Sequence, residues 1–255
     1  MEPILENDKC QEKFDWKKLI DPFNIIPAAI SIILWVVAHY IPLKPLYVPP
    51  NDSQSMFPKV EKSTVSNNLV TILIFAVSII FFIIFYIITI KFPHCKYISH
   101  FAPFTALYAL VTAVCLTGFF TNVLKFYVGR PRPDMYAWCN STTAQYETCT
   151  NIPKSKQQGE FVSWPSGHSS NSMSGGLFIC LFLQKLLRIR KLWWTLICSL
   201  FIFAAVFIAC SRVVDYRHHP DDIVAGMFLG FLITIFVWQR SYKSIFFKSK
   251  EKSIE

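Results

Sequence analysis

Three short stretches of the chain concentrate residues able to handle a phosphoryl group. The first, Lys125-Phe-Tyr-Val-Gly-Arg130-Pro-Arg132-Pro133-Asp134, brings two guanidinium groups and an ammonium into eight residues. Guanidinium forks match phosphate oxygens in bidentate geometry. Pro131 and Pro133 bar a continuing helix and push Arg130 and Arg132 towards extended backbone, so the preceding helix is expected to end near Lys125. Taken alone, these cations equally suit snorkelling to lipid headgroups. The second stretch, Trp164-Pro165-Ser166-Gly167-His168-Ser169-Ser170, leads into an apolar run. Ser166 or Ser169 can cap the helix that begins there, leaving free N–H groups and the positive end of the dipole to hold an anion beside His168. A capped helix start with an incidental histidine is the plainer alternative. In the third stretch, from Ser211 to Asp222, His218 and Asp222 stand four residues apart, the spacing at which one helical turn brings two side chains together. A carboxylate behind an imidazole fixes its tautomer and raises its basicity. Asp221 and Asp222 also suit a helix N-terminus for their charge alone.

Other chemistries are poorly served. The sequence has no HExxH or paired CxxC spacing for zinc, no phosphate-binding P-loop and no GxSxG nucleophile elbow. Cationic, histidine-bearing and poor in metal ligands is the profile of a site that grips phosphate and uses imidazole as nucleophile and acid. No metal and no cofactor is expected.

The elements that must position these groups are membrane spans. Of 255 residues, 53% are hydrophobic and only 16% charged, against about 25% charged in soluble domains. Apolar runs cover roughly 24–41, 69–90, 103–124, 170–187, 193–210 and 223–238, so the chain reads as an all-α, polytopic membrane protein with six transmembrane helices. Residues 1–23 are expected to form a tail whose charges argue against a cleaved signal peptide. Residues 24–238 form the membrane domain, and 239–255 a basic tail. With the N-terminus inside, fifteen Lys and Arg fall on the inner side and ten on the outer, which favours cytoplasmic N- and C-termini. The net charge of +9 is thereby topogenic, and no nucleic-acid partner is expected. All three clusters then meet at the outer or lumenal ends of spans three, four and six. The sequons at Asn51 and Asn140 fall on the same side, as do Cys139 and Cys149, which suit either a disulfide or two free thiols.

The clusters also carry a resemblance. Lys125…Arg132-Pro133, Pro165-Ser166-Gly167-His168 and Ser211-Arg212…His218…Asp222 match, in order and at full spacing, the three motifs of the type 2 phosphatidic acid phosphatase superfamily. The strings GRPRPD and DYRHHPxD resemble its eukaryotic lipid phosphate phosphatase branch. The resemblance covers about 100 to 240 by motif. It implies metal-independent hydrolysis of phosphatidate, lysophosphatidate and diacylglycerol pyrophosphate through a phosphohistidine. It implies that Lys125, Arg132 and Arg212, with Ser166 and Gly167, hold the phosphoryl oxygens. His218 would attack phosphorus, Asp222 would orient it, and His168 would protonate the leaving alkoxide. His219 is one residue out of register and receives no catalytic role; Arg130 and Arg217 are extra cations.

Polyprenyl diphosphate or sphingoid phosphate hydrolysis would use the same catalytic set. A non-catalytic membrane scaffold would be expected to lose part of it, and a channel or transporter would place ionisable residues at mid-span. The expected setting is multi-pass in the plasma membrane or an endomembrane, with the site facing outside or lumen and a lipid phosphate as partner. Gly226-x3-Gly230 fits either a homodimer contact or packing within one chain.

Overall fold

The structure, a computed structural model, describes residues 22–91, 102–187 and 192–246. Among these residues the secondary structure is helical, with no strand. The helices are α1 (Pro22–Val37), α2 (Asn67–Lys91), α3 (Ala102–Val128), α4 (Met135–Cys139), α5 (Lys154–Glu160), α6 (Gly167–Leu187), α7 (Leu192–Val214) and α8 (Pro220–Phe246). Each apolar run of the sequence falls on one of the six long helices. The last of these runs beyond residue 238 to Phe246. Many of the basic residues from which orientation was read lie outside the described residues, among them Lys9 to Lys18, Lys96, Arg188 to Lys191 and Lys248 to Lys252.

Among the described residues, four stretches are long and apolar enough to cross a membrane by length and composition: Pro22–Tyr40, Leu69–Ile87, Ala102–Val128 and Pro220–Phe246. Their outer faces, and that of α7, expose large apolar side chains such as Ile33, Ile84, Phe203 and Phe228. This is the surface of a multi-pass membrane protein. The α6 helix is absent from the four because Ser169, Ser170, Ser172 and Ser174 dilute its hydropathy. Its place explains that composition, since α6 packs against α3, α7 and α8 rather than facing outward. Its hydroxyls find partners there. Ser170 Oγ and Thr121 Oγ1 share a hydrogen bond of 2.8 Å, and Thr234 Oγ1 donates to Ser174 Oγ at 2.8 Å.

Small residues set how closely these helices approach. A Cβ at Gly226 would strike the Ser166 carbonyl, and one at Gly230 the Ser170 carbonyl. The Gly226-x3-Gly230 face is therefore used inside the chain, against α6, and is not free for a second copy. The C-terminal ends of α1, α3 and α7 and the N-terminal ends of α2, α6 and α8 share one end of the bundle. That end is covered by the loops around α4 and α5, which are tied by a Cys139–Cys149 disulfide.

The α3 helix ends later than the prolines suggested. It continues through Val128, and Gly129 then adopts φ +60° with its N–H donating to the Lys125 carbonyl at 3.0 Å. Termination thus comes from a left-handed glycine, and Pro131 acts only on the extended segment beyond it. Close approach also demands glycine at 129, because a side chain there would collide with the Lys44 carbonyl.

Candidate active site

Lys125 lies in the last turn of α3, where its ammonium donates to the carbonyls of Val162 at 2.6 Å and Ser163 at 3.4 Å. The chain then leaves the helix through Arg130-Pro131-Arg132 and turns at Pro133-Asp134, where the Met135 N–H donates to the Arg132 carbonyl at 3.2 Å. The two arginines take different partners. Arg132 donates to carbonyls only, from Nε to Gly159 at 2.6 Å and from a terminal nitrogen to Arg217 at 3.1 Å. Arg130 instead pairs with Asp221 and, at 2.8 Å, with Asp222.

Asp222 stands in the first turn of α8 and is fully buried. One carboxylate oxygen accepts from Arg130. The other accepts from the Ser163 hydroxyl and, at 2.8 Å, from the His219 backbone N–H. His218 Nδ1 lies 3.5 Å from that second oxygen. His218 Nδ1 makes no hydrogen bond at that distance, whereas His219 Nδ1 reaches the same oxygen at 3.3 Å; with Nδ1 facing Asp222, Nε2 is the His218 nitrogen left for the cavity. His218 precedes α8, so a turn rather than a helix brings it to Asp222. Tyr216 makes the turn at φ +54°, its ring stacked on Phe57 at 5.2 Å.

Arg212 ends α7 and donates to the Val65 carbonyl at 2.9 Å and to Asp215 at 2.8 Å, while its Nε has no partner. Asp215 also accepts from the N–H and hydroxyl of Thr64, which binds the segment before α2 to the site. At the start of α6, Gly167 and His168 line the cavity, and His168 Nε2 is buried without a partner. A Cβ at Gly167 would make only ordinary contact with Lys125 Cε, at 3.6 Å.

Six of the residues singled out by sequence thus line one cavity of about 560 Å³: Lys125, Arg132, Gly167, His168, Arg212 and His218. Two do not. Asp222 lies behind His218, and Ser166 is fully buried with its hydroxyl accepting from the Ser169 N–H at 3.4 Å and hydroxyl at 2.9 Å. Ser166 Oγ is thereby used as the helix cap, which takes it off the cavity surface. Sequence reading missed much of the opposite wall, namely Trp35, His39, Asn122 and Asn171. It also left Arg217, Trp138 and Lys156 without a place in the site. Asn122 and Asn171 were within reach of helical spacing, each three residues from a motif residue; Trp35 and His39 carried no local signal.

Burial holds the His218 imidazole well below its ordinary value, and Arg132 and Lys125 reinforce this against the opposing contact with Asp222. The ring is neutral at neutral pH, as a nucleophile must be. Arg132 is pulled down to about 10 by burial and then by Arg217. Arg217 behaves differently. Burial alone would lower it, but Glu160 at 2.9 Å and Asp134 at 2.8 Å outweigh that and hold it above its usual value. Burial raises Glu160 despite these arginines.

Residues 106–246 match the PAP2 superfamily. The chain is 30% identical over 208 residues to diacylglycerol pyrophosphate phosphatase 1 of Saccharomyces cerevisiae, covering 76% of this chain and 70% of that protein. It is 34% identical over 149 residues to the probable diacylglycerol pyrophosphate phosphatase 1 of Schizosaccharomyces pombe, and 31% over 148 residues to phospholipid phosphatase 1 of Rattus norvegicus. These last two matches span about half of each relative, 53% and 51%.

Proposed function

The chain belongs to the PAP2 superfamily, and from that premise we propose that it is an integral-membrane lipid phosphate phosphatase acting on phosphatidate, lysophosphatidate and diacylglycerol pyrophosphate. The observation that carries this reading is the gathering of Lys125, Arg132, Arg212, His168 and His218 around one cavity at one end of an apolar helix bundle. Lys125, Arg132 and Arg212 hold the phosphoryl oxygens, joined by the N–H groups at the start of α6. His218 Nε2 attacks phosphorus while Asp222 keeps the proton on Nδ1. Burial and then Arg212, Arg132 and Lys125 lower His168 to about 3, so it takes up a proton from water only once the phosphate dianion lies among these cations. As the bond to the leaving oxygen breaks, His168 gives that oxygen the proton, and an alcohol, or phosphatidate from diacylglycerol pyrophosphate, departs. Water, deprotonated by His168, then attacks the phosphohistidine, releasing inorganic phosphate and restoring His218. Ser166 contributes by capping and steadying the α6 terminus.

Six spans with both termini cytoplasmic would put the cavity on the outer or lumenal side, in the plasma membrane or an endomembrane. A phosphate could then be handled at the headgroup plane while its acyl chains remain in the bilayer. The exposure of Asn51 and Asn140 at the cavity end supports glycosylation there.

The test is phosphate release from phosphatidate in detergent micelles with EDTA present, comparing wild type with His218→Ala. Release by wild type and none by the variant is expected, together with a base-stable, acid-labile phosphoenzyme in wild type. Absence of release from every lipid phosphate tried, or undiminished release by the variant, would overturn the reading.

A further inference from the structure

Asn171 lies three residues into α6 from His168, about 4.5 Å deeper along the helix axis. Its side-chain oxygen is buried and has no hydrogen-bond partner. Among the described residues no partner is seen for its nitrogen either. Such an amide costs stability unless something supplies its missing bonds.

The position is informative. On the facing wall Asn122 lies three residues deeper than Lys125 on α3, where its amide donates to His39 Nε2 at 3.2 Å. The neighbouring Thr121–Ser170 hydrogen bond shows α3 and α6 in contact at this level. Asn171 borders two spaces at once. Above it is the 560 Å³ cavity with its cations and histidines; below it is a gap of about 30 Å³ lined by Val70, Ile74, Phe75 and Val114 among others. The lining changes from charged to apolar at this residue. A lipid phosphate changes in the same order, from phosphate through an oxygen-bearing glycerol to hydrocarbon.

We propose that Asn171 forms a leaving-group subsite that hydrogen-bonds the oxygens between the phosphate and the acyl chain, so that the site selects glycerol-based lipid phosphates over plain alkyl phosphates. A carboxamide offers both a donor and an acceptor, so it serves a hydroxyl as well as an ester oxygen. A site built to hydrogen-bond a substrate discriminates against the analogue that lacks the group, because its own polar atoms are then left unpaired. This inference rests on the phosphatase reading and deepens it.

The experiment measures kcat/KM for lysophosphatidate and for a straight-chain alkyl phosphate of equal chain length, in detergent micelles, for wild type, Asn171→Leu and Asn171→Ala. Wild type is expected to prefer lysophosphatidate. Both variants are expected to lose about tenfold on lysophosphatidate, the worth of one hydrogen bond, while the alkyl phosphate stays within about twofold. Because Leu replaces an unpartnered amide, its melting temperature is expected to match or exceed that of wild type. Equal losses on both substrates, an unchanged preference, or unfolding of both variants would overturn the subsite. A wild type that hydrolyses both substrates equally overturns it while the phosphatase reading stands. A wild type that hydrolyses neither removes both.

Discussion

A methyl group at Gly226 should disable the site without touching any residue that contacts substrate. Gly226 lies in the second turn of α8, against the capped start of α6. A Cβ there would collide with the Ser166 carbonyl and approach Ser169 Cβ to 3.1 Å. Ser166 is also tied to the same face of α8, since its N–H donates to the Asp222 carbonyl at 2.9 Å. Neither obstacle is the loose end of a side chain, so α6 and α8 must separate locally by about 1 Å, at an overpacking cost of roughly 1–3 kcal/mol. That separation moves His168 relative to His218, and a displacement of about 1 Å lowers rate on the order of a hundredfold. Gly230→Ala meets the Ser170 carbonyl one turn farther from the histidines. It should cost similar stability but less activity. Gly159→Ala is the control, because nothing lies within 4 Å of its Cβ and its carbonyl bond to Arg132 survives. It should stay within about 0.5 kcal/mol and keep full activity. Thermal unfolding and kcat/KM on phosphatidate in micelles read both effects. A Gly226→Ala enzyme within threefold of wild type and with an unchanged melting temperature would refute the argument.

Further outcomes follow from the same geometry. Asp222→Asn replaces an acceptor facing His218 Nδ1 by an amide that can present a donor, so kcat should fall by about three to four orders of magnitude through the wrong tautomer; Ser163→Ala, which removes one bond to that carboxylate, should cost far less. Arg217→Ala leaves the buried Asp134 and Glu160 unpaired and should destabilise by about 3–5 kcal/mol, seen as a lost or lowered melting transition that Glu160→Gln in the same chain partly restores. Because His218 is held below the ordinary imidazole value, its neutral form persists as pH falls through 6.5. The acid limb of kcat/KM should therefore shift with the second ionisation of the substrate, near 6 for a typical phosphate monoester; measured on two substrates that differ in that ionisation, a limb fixed at one pH would show that an enzyme group titrates there instead.

The residues that sequence exposed were those whose types are costly beside an apolar helix. Lys125, Arg132, His168, Arg212 and His218 announced themselves because charge at the end of a span needs a reason, and the structure brings these five to one cavity. What stayed hidden depended on backbone direction or on contacts distant in sequence. Arg130 and Arg132 look equivalent in the string, yet the folded chain pairs one with Asp222 and places the other on the cavity wall. Ser166 offered two uses for one hydroxyl, and capping claims it here. The contribution of α1 through Trp35 and His39 had no local signal, since it comes from packing of α1 against α3, where the Trp35 ring fills the space above Gly118.

Charge bookkeeping across the cavity adds a physical reason for its ligand. Of the arginines around it, Arg212 is paired with Asp215, Arg217 with Asp134 and Glu160, and Arg130 with Asp221 and Asp222. Lys125 and Arg132 differ, because their hydrogen bonds go to carbonyl oxygens and not to a carboxylate. Dipoles orient these two cations without neutralising them. Desolvated cations with no carboxylate in direct contact are expensive, and the cost is recovered when an anion enters. Two such charges balance a phosphate monoester dianion. Lys125→Gln or Arg132→Gln should therefore weaken inhibition by inorganic phosphate by about tenfold or more, while leaving melting temperature unchanged or raised, since each removes a buried charge that no carboxylate contacts directly. A fall in stability together with unchanged phosphate inhibition would mean that these cations serve the fold and not the ligand.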